Sequence, residues 1–151
     1  MAYEKTFCLL KPGVLQRRIA GEVLSRIERK GLKIVALKMI RMDRELCEKQ
    51  YAEHKGKGFY EDLVGYMQSG PVVTMVVAGE NAISYMRALA GATNPQNAAP
   101  GTIRGDYALV TQNNIIHASD SPESASREIG LFFTDEDIHD YEDPNAGWIT
   151  G

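Results

Sequence analysis

The chain has two cysteines, one tryptophan and no apolar run approaching the about 18 residues of a membrane span. Each shortage excludes something. Cys8 and Cys47 lie far apart in apolar segments, and neither has a second cysteine at metal-ligand spacing, which argues against a disulfide framework or a zinc site and for reduced, buried thiols. The opening "MAYEKTFCLLKPG" is too short in apolar residues for a signal-peptide core. A soluble, unprocessed, cytoplasmic protein without membrane contact is therefore expected. A basic excess is missing too: 17 Lys and Arg stand against 20 Asp and Glu, for a net charge of -3. That balance argues against a nucleic-acid or anionic-membrane binder and leaves only local basic sites. There is also no G-x-x-x-x-G-K-[ST], no G-x-G-x-x-G and no protein-kinase signature. If phosphate is handled, side chains must do it.

What is present reads as one domain over residues 1–151, long enough to bury a core without staples. "KTFCLL" reads as a strand stopped by Pro12, and "RIAGEVLSRIERKG" as a helix with Ile19, Val23, Leu24 and Ile27 on one face and Gly31 as its C-terminal cap. "LKIVALKMIRM" alternates Leu32, Ile34 and Ala36 as a second strand, and Asp43 offers an N-cap to "RELCEKQYAEH". "FYEDLVGYMQ" is a further helix, "VVTMVVAG" a central strand and "ENAISYMRALAG" a helix. "GATNPQNAAPG" has no periodicity and is long for a loop, which points to function or disorder. "TIRGDYALV" then leads into a fourth strand, and "SPESASREIG" opens a helix capped by Asp120 or Ser121 with Pro122 near its first position. An acidic tail follows, with Trp148 as its expected anchor. The order gives an α+β, β-α-β-β-α-β-like sandwich: a mainly antiparallel sheet with extra helices. A doubly wound parallel sheet is the alternative, but the Gly-rich turn it normally brings after strand one is absent.

Within "NNIIHASDS", His117 stands at a strand-to-helix turn, a position where chemistry is often placed, followed by Ser119 and Asp120. A histidine there could simply cap a strand. Glu128, on the next helix, could reach back to orient the ring, or could be an exposed charge beside Arg127. A Ser-His-Asp triad fails, because residues this close in sequence rarely arrange nucleophile, base and orienter and no nucleophile-elbow glycines surround Ser119. His54 and His139 lie far off without carboxylates at ligand spacing, so a metal site is poor. Lys11, Arg87 and Arg104 are singly ordinary surface charges, yet all fall near ends of elements. What remains is histidine as a nucleophile for phosphoryl transfer, with cations supplying charge.

These residues resemble a known family. "NNIIHASDS" is similar to the N-x-x-H-[GA]-S-D signature of nucleoside diphosphate kinases; "GATNPQNAAPGTIRGDY", "SGPVV" and "REIGLFF" resemble further segments of that family in the right order over nearly the whole chain. The resemblance implies a ferredoxin-like core and a ping-pong cycle in which His117 takes the γ-phosphoryl of a nucleoside triphosphate and gives it to a diphosphate. It implies that Glu128 and Ser119 hold the histidine, that Arg87, Thr93 and Arg104 bind the β- and γ-phosphates, and that Tyr51 lies near the transferred group. Lys11 and Asn114 would reach the phosphoryl and the sugar hydroxyls. Phe59 would stack on the base, a contact tolerant of base identity, so ATP, GTP, ADP, GDP and deoxy forms are all expected substrates. Mg²⁺ would ride on the nucleotide phosphates with no dedicated protein ligands, and the chain would assemble as a homohexamer, alternatively a homotetramer, its irregular loop with Pro95 packing between subunits. Asp120 would position metal-bound water or simply cap the helix. The family's usual K-P-D-G-V-Q-R-G turn reads "KPGVLQRR" here, without the acid and with Arg18 in place of a glycine, and the tail ends "GWITG" where some members end in an acid.

Two rivals remain. A non-catalytic nucleotide-binding regulatory module of the same fold would be marked by loss of His117, Lys11 or Arg104, and all three are present. A nucleic-acid-binding domain would want aromatics on exposed strands and a basic face, whereas "TFCLL" and "VVTMVVAG" are mostly aliphatic.

Overall fold

The computed structural model describes residues 2–151. The chain runs β1 (Tyr3–Leu10), α1 (Ala20–Lys30), β2 (Lys33–Ile40), α2 (Arg44–Gln50), α3 (Tyr60–Met67), β3 (Val72–Glu80), α4 (Ala82–Ala90), α5 (Ile103–Tyr107), β4 (Ile116–Ala118), α6 (Pro122–Phe132) and α7 (Ala146–Ile149). The strands form one antiparallel sheet in the order β2-β3-β1-β4, the expected β-α-β-β-α-β sandwich with added helices.

Strand alternation builds a core on each face. Cys8 and Leu10 of β1 and Val73, Met75 and Val77 of β3 pack against Val23 and Ile27 of α1 and Met86 and Ala90 of α4. Phe7, Leu9, Val72, Val76 and Ala78 face the other way, onto Cys47 of α2, Val64 and Met67 of α3 and Phe132 of α6. Ile116 and Ala118 belong to the first core. His117 between them must then point to the second face, where α2 and α6 lie. Both cysteines are free and buried.

The helix ends follow the sequence cues. Gly31, at φ 105°, closes α1 and bonds back to Glu28 and Ile27, a left-handed conformation that suits glycine. Asp43 caps α2 by accepting from Leu46 N–H, and Ser121, rather than Asp120, caps α6 by accepting from Ser124 N–H.

Three expectations are corrected. The alternation of β2 does not run through: Leu32 and Ile34 pack in the first core, but Val35 and Ala36 both enter the second, because the pairing jumps from Ile34↔Val77 to Ala36↔Val76. A bulge of one residue reverses the strand's parity and leaves Leu37 and Met39 exposed. "TIRGDYALV" does not lead into a strand. Thr102 accepts from Gly105 N–H and starts α5, while a side chain at Gly105 would collide with the Ala99 carbonyl; Leu109 and Val110 are exposed, and the strand begins only at Ile116. Trp148, 92% exposed, anchors nothing within the chain. Ile149 instead covers Gly31, and Asp140 holds the tail by accepting from Tyr3 OH at 2.7 Å while pairing with Lys33 at 2.8 Å and Lys5 at 3.3 Å. The hydrogen bond from Lys33, then that from Tyr3, holds the Asp140 carboxyl at about 2.

The altered turn after β1 carries its own strain. Arg18 is exposed and adopts φ 59°, the left-handed region that disfavours a residue with a Cβ. Arg18→Gly removes that strain, of about 1–2 kcal/mol, against a smaller entropic loss in the unfolded chain. The expected outcome is a urea midpoint raised by the equivalent of about 0.5–1 kcal/mol; an unchanged or lower midpoint contradicts the assignment of strain.

Candidate active site

The site begins with a tight turn before β4. Ile116 N–H donates to Asn114 C=O at 2.8 Å, and Ile115 between them sits at φ 76°, a γ-turn of the rare, strained hand. For a β-branched residue this conformation costs about 1–3 kcal/mol and persists only where the surroundings over-determine it. Here they do. Lys11 N–H donates to Ile115 C=O at 2.9 Å, and the buried Arg104 guanidinium donates to three carbonyls: Asn114 at 3.2 Å, Gly91 at 2.8 Å and Ile116 at 2.5 Å. The turn lets three residues pair with β1, with His117 opposite Leu9.

His117 meets a carboxylate at once. Its Nε2 lies 2.8 Å from Glu128 Oε2, Ser119 Oγ donates to Glu128 Oε1 at 2.5 Å, and Gln50 Nε2 donates to Oε2 at 2.6 Å. Glu128 is 3% exposed. Burial alone would push its carboxyl up, but the hydrogen bond and charge of His117, then Ser119 and Gln50, outweigh it and hold the pKa below the usual carboxylate value. A carboxylate at Nε2 selects the tautomer with the proton on Nε2, and leaves Nδ1 as the ring nitrogen with a free lone pair.

In front of the ring lies an open cavity of about 470 Å³, lined by Lys11, Tyr51, His54, Phe59, Arg87, Thr93, Arg104, Asn114 and His117 among others. Eight of the ten residues singled out in the sequence thus meet on one wall; Ser119 and Glu128 stand behind it. No carboxylate lines it. Burial, reinforced by Arg104, lowers Lys11 to about 8, and burial with the neighbouring Arg87 lowers Arg104 to about 10. Both act as cations short of a counter-charge, the state expected of a site that receives an anion. Two buried polar atoms here have no partner among the described residues, Tyr51 OH and Asn114 Oδ1. Asn114 Nδ2 donates to Thr93 C=O at 2.9 Å and Arg87 Nη1 to Ala118 C=O at 3.2 Å, which fixes both side chains from below. Phe59 is half exposed, its ring 5.3 Å from that of His54.

Sequence reasoning missed Gln50, which touches Glu128, and His54, Thr111 and Gln112, which line the cavity. Gln50 directly precedes Tyr51, and His54 falls one turn beyond Tyr51; that adjacency was the available signal. The Arg104 staple was not visible either, since its partners are carbonyls from two distant segments, Gly91 and the turn from Asn114 to Ile116.

The geometry has counterparts among known proteins. The nucleoside diphosphate kinase family model matches residues 4–138. The nucleoside diphosphate kinase of Archaeoglobus fulgidus is 57% identical over 146 residues, which cover 97% of each chain. That of Methanocaldococcus jannaschii is 58% identical over 137 residues, 91% of this chain and 98% of its own. Among solved structures, a halophilic nucleoside diphosphate kinase from Halobacterium salinarum in complex with CDP superposes with a TM-score of 0.96 at 43% identity, covering 99% of this chain and 100% of that one. With a strained turn that presents one histidine to a cationic cavity, and relatives of this identity along almost its full length, the chain belongs to the nucleoside diphosphate kinase family.

Proposed function

We propose that the phosphotransfer activity of this nucleoside diphosphate kinase runs through a phosphohistidine at Nδ1 of His117. The observation that carries the reading is the pairing of His117 Nε2 with Glu128 in a cavity whose wall holds three cations and no carboxylate. The Nδ1 lone pair attacks the γ-phosphorus of a nucleoside triphosphate; the bond from that phosphorus to the β,γ-bridging oxygen breaks, and the diphosphate leaves with the electron pair. Glu128 keeps the proton on Nε2 and stabilises the positive charge the ring gains, as a fixed carboxylate does for an imidazolium. Lys11, Arg87 and Arg104 neutralise charge on the phosphate oxygens, and Tyr51 and Asn114 offer their unpartnered atoms to the phosphoryl and the sugar. A second diphosphate then takes the phosphoryl from Nδ1, which closes a ping-pong cycle. Thr93 belongs to the phosphate-binding wall. Phe59, half exposed at the rim, stacks on the base and accepts any nucleoside, which supports ATP, GTP and deoxynucleotides as substrates.

Magnesium fits this site as a passenger of the nucleotide. The carboxylate beside His117 is already engaged by three donors, and Asp120, within the field of Arg87, would hold a metal-bound water. Bound there, the ion would add positive charge at the phosphates. The same reading takes residues 1–151 as one domain working in the cytoplasm; among the described residues no helix is long and apolar enough to cross a membrane. The reading also takes the chain to assemble as a homohexamer or homotetramer, with the adjacent Leu109 and Val110, both exposed, as apolar surface for such a contact. Light scattering should then give six or four times 16.7 kDa, and a monomer mass would remove this part of the reading.

Incubation with γ-labelled ATP and Mg²⁺ followed by an alkaline quench should leave label on the protein, chased off by GDP. His117→Ala should abolish the label while nucleotide still binds; persistent turnover would move the nucleophile elsewhere. Because Lys11 sits at about 8 before nucleotide binds, its charge is present below that pH and lost as pH rises through it. The alkaline limb of kcat/KM, which reports the free enzyme, should therefore fall near pH 8, and Lys11→Arg, charged at every working pH, should remove that limb even if it slows the reaction. A limb that stays in place excludes Lys11 as its source.

A further inference from the structure

Glu128 has one donor more than the His117 segment supplies. Gln50, at the end of α2, is 2% exposed, and its Nε2 reaches Glu128 Oε2 at 2.6 Å, closer than the 2.8 Å of His117 Nε2 to the same oxygen. The two nitrogens are 3.4 Å apart. Both are donors in the tautomer that Glu128 selects, so they compete for one oxygen rather than bond each other. Turning the amide over would set its oxygen against the carboxylate. The observed orientation avoids that repulsion but leaves Gln50 Oε1 buried without a partner, an arrangement that packing alone would not favour.

We propose that Gln50 is a positioning residue that tunes His117: it draws negative charge from Glu128 Oε2, loosens the hold of the carboxylate on the imidazolium, and so keeps the ring neutral and nucleophilic to lower pH. The inference rests on the reading of His117 as phosphoryl carrier. It adds to that reading the reason the nucleophile is free when substrate arrives. A carboxylate that served His117 alone would favour the protonated ring, in which Nδ1 has no lone pair. The other groups facing the ring or its carboxylate are Ser119, the buried Cys8 of β1, which feels the charge of Glu128, and Arg127, 3.7 Å from Glu128 Oε2, and across the cavity Lys11, Tyr51, His54, Arg87 and Arg104. None of them changes in a Gln50 variant.

Gln50→Met keeps the length of the side chain and deletes the donor; Gln50→Leu deletes it in a branched side chain of similar volume. In the full chain, NMR titration of the His117 ring gives its midpoint, and γ-labelled ATP gives the rate of phosphoenzyme formation against pH. The midpoint should rise by about half a unit to one unit in both variants, and the acid limb of phosphorylation should move up with it. A residue that only packs α2 against α6 would change stability without moving the midpoint. A natively folded Gln50→Met whose midpoint stays or falls overturns the proposal. Should Gln50→Met fail to fold, Gln50→Leu decides alone, and a midpoint at or below that of the unaltered protein overturns it. Absence of label on the unaltered protein would instead fail the carrier reading, and the titration would separate the two failures.

Discussion

Arg104 is the constraint from which the site is built. Its guanidinium, on a residue 4% exposed, donates to the carbonyls of Gly91, Asn114 and Ile116 and so ties the end of α4, the turn before β4 and β4 itself into one piece. Without those bonds only the Lys11 N–H to Ile115 C=O bond and the short pairing of β4 would hold Ile115 at positive φ. The segment would relax toward an extended strand, and a one-residue slip in a period of two would turn His117 into the first core and Ile116 out of it. A buried cation bound only to neutral carbonyls lacks a counter-ion, which is why burial lowers Arg104 to about 10. The residue that shapes the turn therefore also leaves positive charge facing the cavity.

Electrostatically the site has two layers. In front of the ring the wall carries Lys11, Arg87 and Arg104 and no acid; behind the ring stands one buried carboxylate saturated by Ser119, Gln50 and His117. The sheet keeps the layers apart. The ring stands between them, so the carboxylate acts on it through Nε2 and leaves the opposite nitrogen its lone pair. Were Glu128 in the front layer it would neutralise the charge that an incoming phosphate needs. An arrangement of this kind pre-organises both partners of a moving charge before substrate arrives, so little reorganisation is left for the reaction itself.

How much of this the sequence carried depends on the range of the interactions. Local signals were legible: Gly31 closing α1, Asp43 capping α2, and apolar runs long enough to give β1 and β3 their faces. The antiparallel β-α-β-β-α-β order was legible from the succession of elements, and the residues of the cavity from their resemblance to a family. The bulge at Val35 was not, because "LKIVALK" is apolar on both parities and either reading satisfies the pattern. The α5 turn was missed for a similar reason. "YALV" looks like a strand, and the collision that demands Gly105 involves a carbonyl six residues earlier in the chain. Trp148 seemed an anchor by its size, yet the tail is fixed by Asp140 with Tyr3, Lys5 and Lys33, charged and polar groups whose pairing no periodicity announces.

The features that look like defects share one explanation. Strain at Ile115, two cations without counter-ions, and unpartnered atoms on Tyr51 and Asn114 would each destabilise a protein that had only to fold. The cations and the unpartnered atoms border a single cavity, and Ile115 stands between two residues of its wall, Asn114 and Ile116; an anionic nucleotide would relieve most of these costs, since phosphate oxygens pair the cations while the nucleotide's polar groups meet the open donors and acceptors. A ligand that binds only the folded form stabilises it by mass action. The unmet charge and hydrogen-bonding capacity of the site is thus the complement of the ligand. The strain at Ile115 is the one term the ligand does not remove, and it is also the term that keeps His117 on the second face of the sheet.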